Sequence, residues 1–93
     1  MAIANNLNDA EAYNNRGHAY AQQGNLYQAI YDYSKAIEIN PSYIKAYNNR
    51  GLAYYRLEKY SRAWENVHEV EKLGGAIDPN FIEDLKKVSG RDQ

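Results

Sequence analysis

The hexapeptide AYNNRG fills residues 12–17 of this 93-residue chain and returns unchanged at residues 46–51, 34 positions later. The same offset aligns three further identical pairs, which are Ala19 with Ala53, Tyr20 with Tyr54, and Ala29 with Ala63. Self-similarity at a fixed period of about 20–50 residues indicates a repeat architecture, in which each unit is one supersecondary element. The sequence therefore predicts two consecutive units of the same structure.

Each unit contains two stripes of residues with helical spacing. In the first unit Tyr13, Gly17 and Tyr20 recur every three or four residues, which places them on adjacent faces of an α-helix. The second stripe of that unit consists of Ala29, Ile30, Tyr33, Ala36 and Ile37. Gly24 and Pro41 predict the two helix ends, because glycine tolerates left-handed backbone and proline disfavours helix in the residue before it. Each unit is therefore predicted to be a pair of helices.

The offset of 34 also predicts how the chain is organised. We expect a first unit at residues 8–43, a second at 44–77, and a capping helix with a tail at 78–93. Residues 1–7 are predicted to be the remnant of a preceding unit or a flexible tail. This expectation depends on three aligned pairs, which are Ala2 with Ala36, Ile3 with Ile37, and Asn6 with Asn40.

The fold class that follows is all-α, with no strand. Helices are expected near residues 9–22, 27–39, 43–56, 61–73 and 79–88. The last of them begins at Asp78-Pro79, where aspartate suits the cap and proline the first turn. It has an apolar stripe and a charged stripe, and a polar outer face is what the end of a stacked array requires for solubility.

Composition disfavours several classes of partner and location. The net charge is −1, with 11 basic and 12 acidic residues, so no basic surface is available for RNA, DNA or an anionic membrane. The chain contains no cysteine, which excludes disulfides and thiolate metal sites. No apolar run approaches the roughly 18 residues of a membrane span, and the N-terminus lacks a secretory pattern. We expect a cytoplasmic protein with no nucleic-acid or membrane partner.

No catalytic or metal-binding motif is present in the sequence. His18 and His68 are the only histidines, and they do not form the HxxxH or HExxH spacing of a zinc site. The serines lie in no nucleophile motif, and no glycine-rich phosphate loop occurs. We therefore predict that the protein is not an enzyme, and that it has no cofactor and no metal.

The repeated residues resemble the tetratricopeptide repeat (TPR) family, whose 34-residue helix-turn-helix units have aromatic, glycine, tyrosine, alanine and proline residues at set positions. The first unit matches at Tyr13, Gly17, Tyr20, Ala29, Tyr33, Ala36 and Pro41, and the second at Tyr47, Gly51, Tyr54 and Ala63. The departures are Arg16 and Arg50, where leucine is common, and Val67, Val70 and Gly75. The resemblance implies antiparallel helix pairs stacked as a right-handed superhelical solenoid.

The resemblance also implies a protein or peptide ligand in a concave groove lined by the first helix of each unit. The residues predicted to line it are Glu11, Asn14, Asn15, His18, Lys45, Asn48, Asn49, Leu52, Tyr55 and Arg56. Asparagine is a poor helix former, so the repeated pairs either hydrogen-bond a peptide backbone or form a solvated polar face. Some family members clamp a terminal carboxylate with lysine and asparagine. Asn15 and Asn49 match asparagines of that clamp, but Asn14 and His18 replace its lysine and asparagine, so a full clamp is not expected.

The main alternative is a structural role without a separate ligand. Arrays of this kind need about three units for stability, and this chain has two and a terminal helix. Apolar side chains on the first helix pair, which a preceding unit would cover, are expected to be exposed and to mark an interaction surface. We therefore predict self-association through the N-terminal helix pair, as an oligomer or as the C-terminal part of a longer array.

Overall fold

The computed structural model describes residues 7–90, with side chains from Asp9 onward, and these residues form five α-helices. They are α1 (Leu7–Gln22), α2 (Leu26–Ile39), α3 (Ile44–Arg56), α4 (Tyr60–Lys72) and α5 (Pro79–Ser89). No strand occurs in that part of the chain. The prediction of an all-α fold is confirmed, and every helix boundary lies within two residues of its expected position. The predicted remnant with Ala2, Ile3 and Asn6 lies outside the described residues.

The helices pack as antiparallel pairs that stack into a repeat solenoid. Ala10 packs against Ala36 near one end of the α1–α2 pair. At the other end Gly17 approaches the Ala29 carbonyl so closely that an added Cβ would lie 3.1 Å from its oxygen. The second pair, α3–α4, stacks on α2, where Ala46 joins the same buried cluster. The core therefore extends along the stack, as expected when neighbouring units cover each other.

The first helix of each unit, α1 or α3, ends in an equivalent turn. Gly24 after α1 has φ +83°, and Glu58 after α3 has φ +60°. Each is followed by an amide that donates to a carbonyl five residues back, as Asn25 does to Tyr20 at 2.9 Å. Glycine adopts this left-handed conformation without steric conflict, whereas glutamate does so at a conformational cost. Both units thus have the same turn geometry, although the second unit has glutamate where glycine is preferred.

Two arginines stand where leucine is common in the family pattern, and both bind the second helix of their own unit. Arg16 donates to both carboxylate oxygens of Asp32, at 2.8 and 2.9 Å, and this hydrogen bonding raises the Arg16 pKa. In the second unit Arg50 donates to the neutral Asn66 Oδ1 at 2.8 Å. Burial lowers the pKa of Arg50. The leucine position has therefore become a polar contact that joins the two helices of each unit.

The terminal helix α5 continues the register of α1 and α3. The offset of 34 aligns Phe81 with Tyr47 and Leu85 with Gly51, and both Phe81 and Leu85 are buried. In α3 the glycine lets the second helix of the unit approach closely, whereas α5 has no such helix among residues 7–90, so leucine fills the space. The predicted helix start is confirmed, since Asp78 Oδ1 accepts from the Asn80 amide at 2.9 Å.

A leucine at Gly51 should overpack the contact between α3 and α4. An added Cβ at Gly51 would already lie 3.2 Å from Asn66 Cβ and 3.6 Å from the Ala63 carbonyl oxygen. We expect Gly51→Leu to lower the free energy of unfolding by about 1–3 kcal/mol, and Lys59→Leu at an exposed site to change it far less. Thermal unfolding followed by circular dichroism measures both variants, and equal melting temperatures would contradict the assigned register.

Candidate functional site

The residues predicted to line a groove lie on α1 and α3 with unequal exposure. Glu11, Asn15, His18, Lys45, Leu52 and Arg56 are exposed, Asn48, Asn49 and Tyr55 are half-buried, and Asn14 is buried. The structure brings four of them together around one cavity of about 210 Å³ between α1 and α3, and these are His18, Asn49, Leu52 and Arg56. The other residues of the cavity wall are Ala21, Gln22, Tyr33 and Ala53.

Much of the cavity wall is apolar, and the guanidinium of Arg56 supplies a positive charge. Ala21, Leu52 and Ala53 supply aliphatic surface, and the buried Tyr33 supplies an aromatic ring. Burial raises the pKa of Tyr33, and the charge of Arg56 opposes that shift, so the guanidinium lies within electrostatic reach of the hydroxyl. Arg56 Nη1 donates to the Ala21 carbonyl oxygen at 3.0 Å. The site can therefore hold an apolar side chain beside a cation that is tethered to α1.

A pair of asparagine amides connects α1 to α3 at the same face. Asn49 Nδ2 donates to Asn14 Oδ1 at 3.1 Å. Asn14 is only 5% exposed, so its carboxamide lies beneath the surface and is not presented to a ligand as the sequence predicted. The two residues occupy different positions within AYNNRG, which is why the repeat gave no hint that they meet. Asn49 lines the cavity, and Asn14 supports it from below.

Tyr43 lies close to Asn14 and Glu11, although the sequence did not predict it among the groove residues. Burial raises the pKa of Tyr43, the charge of Glu11 raises it further, and a hydrogen bond with Asn14 lowers it. The 34-residue offset places Asp9 and Ile77 at the equivalent positions, so the repeat carried no signal for Tyr43.

Tyr55 points away from the cavity and packs on the terminal helix. Its ring makes an edge-on contact with Phe81, with centroids 5.4 Å apart, and lies 6.1 Å from Tyr60. These rings border the cluster of Trp64, Phe81 and Leu85 between α4 and α5. Tyr55 therefore contributes to the seat of α5, and Glu11, Asn15, Lys45 and Asn48 also lie outside the cavity wall.

The described residues supply neither a metal site nor a membrane span. Between residues 7 and 90 no group of three or more histidine, cysteine, aspartate or glutamate side chains converges on a point where an ion would fit. In the same range every helix is too short or too polar to cross a bilayer. The cytoplasmic location stays a prediction.

Known proteins share both the sequence pattern and this geometry. A family profile described as TPR repeat matches residues 17–58. The structure of the first TPR of Spaghetti (RPAP3) bound to HSP90 peptide SRMEEVD superimposes with a TM-score of 0.74 and 29% sequence identity, covering 92% of this chain and 65% of that one. The chain belongs to the tetratricopeptide repeat family.

Relatives of this TPR chain include much longer proteins. Hsp70-Hsp90 organizing protein 3 of Arabidopsis thaliana is 37% identical over 68 residues, which are 73% of this chain and 12% of that protein. Hsp70-Hsp90 organizing protein 1 of Glycine max is 36% identical over 87 residues, which are 94% of this chain and 14% of that protein. The chain therefore spans about an eighth of the length of these relatives, and the similarity concerns their TPR segments.

Proposed function

We propose that this TPR chain is a protein-protein interaction module that binds an extended peptide or protein segment in the groove between α1 and α3. The observation that carries the proposal is the cavity, whose apolar wall lies between the Asn49 amide and the Arg56 guanidinium. An apolar side chain anchors a ligand in such a pocket, while a few polar groups fix its orientation. The peptide-bound state of the similar TPR structure supports this choice.

Removing the polar and apolar contacts of the cavity should weaken capture of a partner. We expect Asn49→Ala combined with Leu52→Ala to weaken binding at least about tenfold, since each residue lines the cavity and neither is part of the buried apolar core. Pull-down from a cell lysate, with mass spectrometry of the captured proteins, compares the intact chain with the double variant. Tyr55→Ala is a poor choice here, because its loss would disturb the seat of α5.

The matched control is Arg62→Ala, an exposed position on α4 away from the cavity. Circular dichroism must show the same helicity for all three proteins. If the double variant captures the same proteins in the same amounts as the intact chain, the groove is not the binding site.

Self-association is the second candidate function, and one comparison between the units favours it. Ala46 and Ala53 of α3 are buried, whereas Ala12 and Ala19, which occupy the same positions of α1, are exposed. On α2 the large side chains of Tyr27 and Tyr31 are also exposed, where α4 has the polar Ser61 and Glu65. Exposed apolar surface of this kind marks interaction sites. The N-terminal helix pair therefore offers a surface that the second pair does not.

We expect the mass measured by sedimentation to rise as the chain concentration increases over about a hundredfold range. Introducing the residues of the second unit, as Tyr27→Ser with Tyr31→Glu, should shift this transition to higher concentration if the two rings contribute. Contact edge to edge, or exchange of helices about the turn near Gly24 or Leu57, would both give this result. A monomeric mass throughout, with α1 protected from hydrogen exchange, would contradict self-association.

A further inference from the structure

The aromatic ring of Tyr33 is held in place where α2 meets α1 and α3. A Cβ added at Gly17 of α1 would lie 2.8 Å from Tyr33 Cε1, so the glycine is what lets the ring come this close. On its other side the ring belongs to the same buried cluster as Ala53 of α3. Tyr33 is only 1% exposed, yet it forms part of the wall of the cavity between α1 and α3. The little surface that it retains therefore faces that cavity.

The hydroxyl group of Tyr33 has no hydrogen-bond partner within residues 7–90. The hydroxyl of Tyr47, by contrast, donates to the Pro41 carbonyl oxygen at 3.0 Å. The Tyr33 oxygen is not fully enclosed by protein atoms, so a group that enters the cavity can reach it. Because a hydroxyl that is buried without a partner is unfavourable, a ligand that closes the cavity has to supply one.

The chemistry at the tip of the ligand side chain decides whether this requirement is met. The cavity of about 210 Å³ has room for water, which satisfies such a hydroxyl while the site is open. A side chain that fills the cavity displaces this water. An apolar side chain then leaves the Tyr33 hydroxyl unpaired, whereas one that ends in an acceptor replaces the lost hydrogen bond. The cavity therefore favours a side chain with an apolar stem and a polar end.

The polar end is best supplied by a carboxylate. The guanidinium of Arg56, which has donors only, lines the same cavity as the Tyr33 hydroxyl. Burial raises the pKa of Tyr33, so the hydroxyl stays protonated and can donate as well. A carboxylate accepts from both groups, and its charge opposes that of Arg56. Glutamate joins this group to an aliphatic stem, which suits the wall formed by Ala21, Leu52 and Ala53.

Resting on the proposed function of the groove, we infer that Tyr33 is a specificity-determining residue, whose hydroxyl makes the cavity select a glutamate side chain of the ligand over an apolar one of similar size. The ligand class is then a peptide segment that inserts one glutamate between α1 and α3. The second unit does not repeat this arrangement. The offset of 34 places Val67 at the position of Tyr33 and Gly90 at that of Arg56, and neither has a side-chain donor.

The first test is selection from a random peptide library displayed on phage. The intact chain and its Tyr33→Phe variant, which lacks only the hydroxyl, are immobilised and used in parallel. We expect the intact chain to enrich peptides that share a glutamate at one position. The variant should enrich leucine or methionine at that position, because its cavity no longer contains a hydroxyl that needs a partner.

Dissociation constants then measure the selectivity. A peptide selected by the intact chain is synthesised with glutamate, glutamine or leucine at the shared position. The intact chain should bind the leucine peptide about tenfold more weakly than the glutamate peptide, and the Tyr33→Phe variant less than about threefold more weakly. Glutamine keeps an acceptor but has no charge, so its peptide should bind the intact chain with an intermediate dissociation constant.

The matched control is Tyr47→Phe, which removes a hydroxyl outside the cavity. This variant loses the hydrogen bond to the Pro41 carbonyl oxygen, so its melting temperature should fall by about 4–8 °C. Its preference for the glutamate peptide should nevertheless equal that of the intact chain. The Tyr33→Phe variant should behave in the opposite way, with an undiminished melting temperature and reduced selectivity, since its hydroxyl has no hydrogen bond to lose.

Three results would overturn the inference. These are enrichment of an apolar residue by the intact chain, the same ratio of dissociation constants in a folded Tyr33→Phe variant, and an equal loss of selectivity in Tyr47→Phe. Failure of the proposed function looks different. In that case the intact chain enriches no peptide although it keeps its helicity, or the enriched peptides bind the Asn49→Ala and Leu52→Ala double variant with unchanged affinity. Either outcome would reject the groove as the binding site and, with it, the role of Tyr33.

Discussion

Replacing Arg16 with leucine should lower the free energy of unfolding by about 3 kcal/mol, even though leucine is common at this position of the family. The reason is Asp32, whose side chain is 0% exposed and accepts both of its hydrogen bonds from Arg16. Without the guanidinium, a carboxylate would remain buried with no cation. The value lies at the low end for a broken buried pair because Arg16 itself is 53% exposed. Urea unfolding followed by circular dichroism measures the change.

Arg50→Leu is the matched control in the second unit. It leaves the neutral amide of Asn66 without its donor, which should cost about 1–2 kcal/mol and thus less than a stranded carboxylate. The double variant Arg16→Leu with Asp32→Leu should recover most of the stability, since apolar side chains often replace a buried ion pair without loss. Equal destabilisation by Arg16→Leu and Arg50→Leu would show that the charge of Asp32 does not matter.

Shortening Leu85 to alanine should lower the free energy of unfolding by about 2–5 kcal/mol, because it opens a cavity between α4 and α5. Leu85 is 0% exposed and belongs to the cluster with Trp64, Val67 and Phe81. Val88→Ala on the exposed side of α5 is the control and should change stability by less than about 0.5 kcal/mol. Tryptophan fluorescence during urea unfolding reports on this contact directly.

Similar stability of the Leu85→Ala and Val88→Ala variants would mean that α5 does not close the stack. It would also remove the reason for a leucine at the position where α1 and α3 have glycine. The N-terminal part of the fold would then have to be stable without the terminal helix.

The helices could be predicted closely because their signals are local and repeated. Two copies of AYNNRG in the same register define α1 and α3, and Asp78-Pro79 defines the start of α5 by its capping chemistry alone. A family resemblance then supplied the way in which the pairs stack. None of these signals depends on a contact between residues far apart in the chain.

The side-chain environments could not be predicted from the repeat, because identical residues have different neighbours in the two units. Ala12 is exposed and Ala46 is buried, although both begin AYNNRG, because Ala46 packs against Ala36 of α2 while no element among residues 7–90 covers the same face of α1. Asn14 is likewise buried and its counterpart Asn48 is half-buried. Position within a repeat determines which face a residue occupies, but the adjacent element determines whether that face is covered.

One missed contact did have a signal in the sequence. Arg16 and Asp32 are separated by 16 positions, and so are Arg50 and Asn66. A polar residue on the apolar stripe of each second helix, at a constant distance from an arginine, indicates that the two form a pair. Comparing the arginines with the leucine of the family pattern does not reveal this pair, whereas comparing the two helices of each unit does.

Arg50 differs from Arg16 in that it also reaches across the boundary between units, where Nη1 donates to Ser34 Oγ at 3.2 Å. In repeat proteins the total stability is a sum of the intrinsic stability of each unit and a coupling energy between neighbours. Arg16 contributes to the first quantity only, whereas Arg50 contributes to both. Chains in which one unit is folded and the other unfolded lose the Arg50–Ser34 bond. This bond therefore favours a single cooperative transition over stepwise melting of the two units.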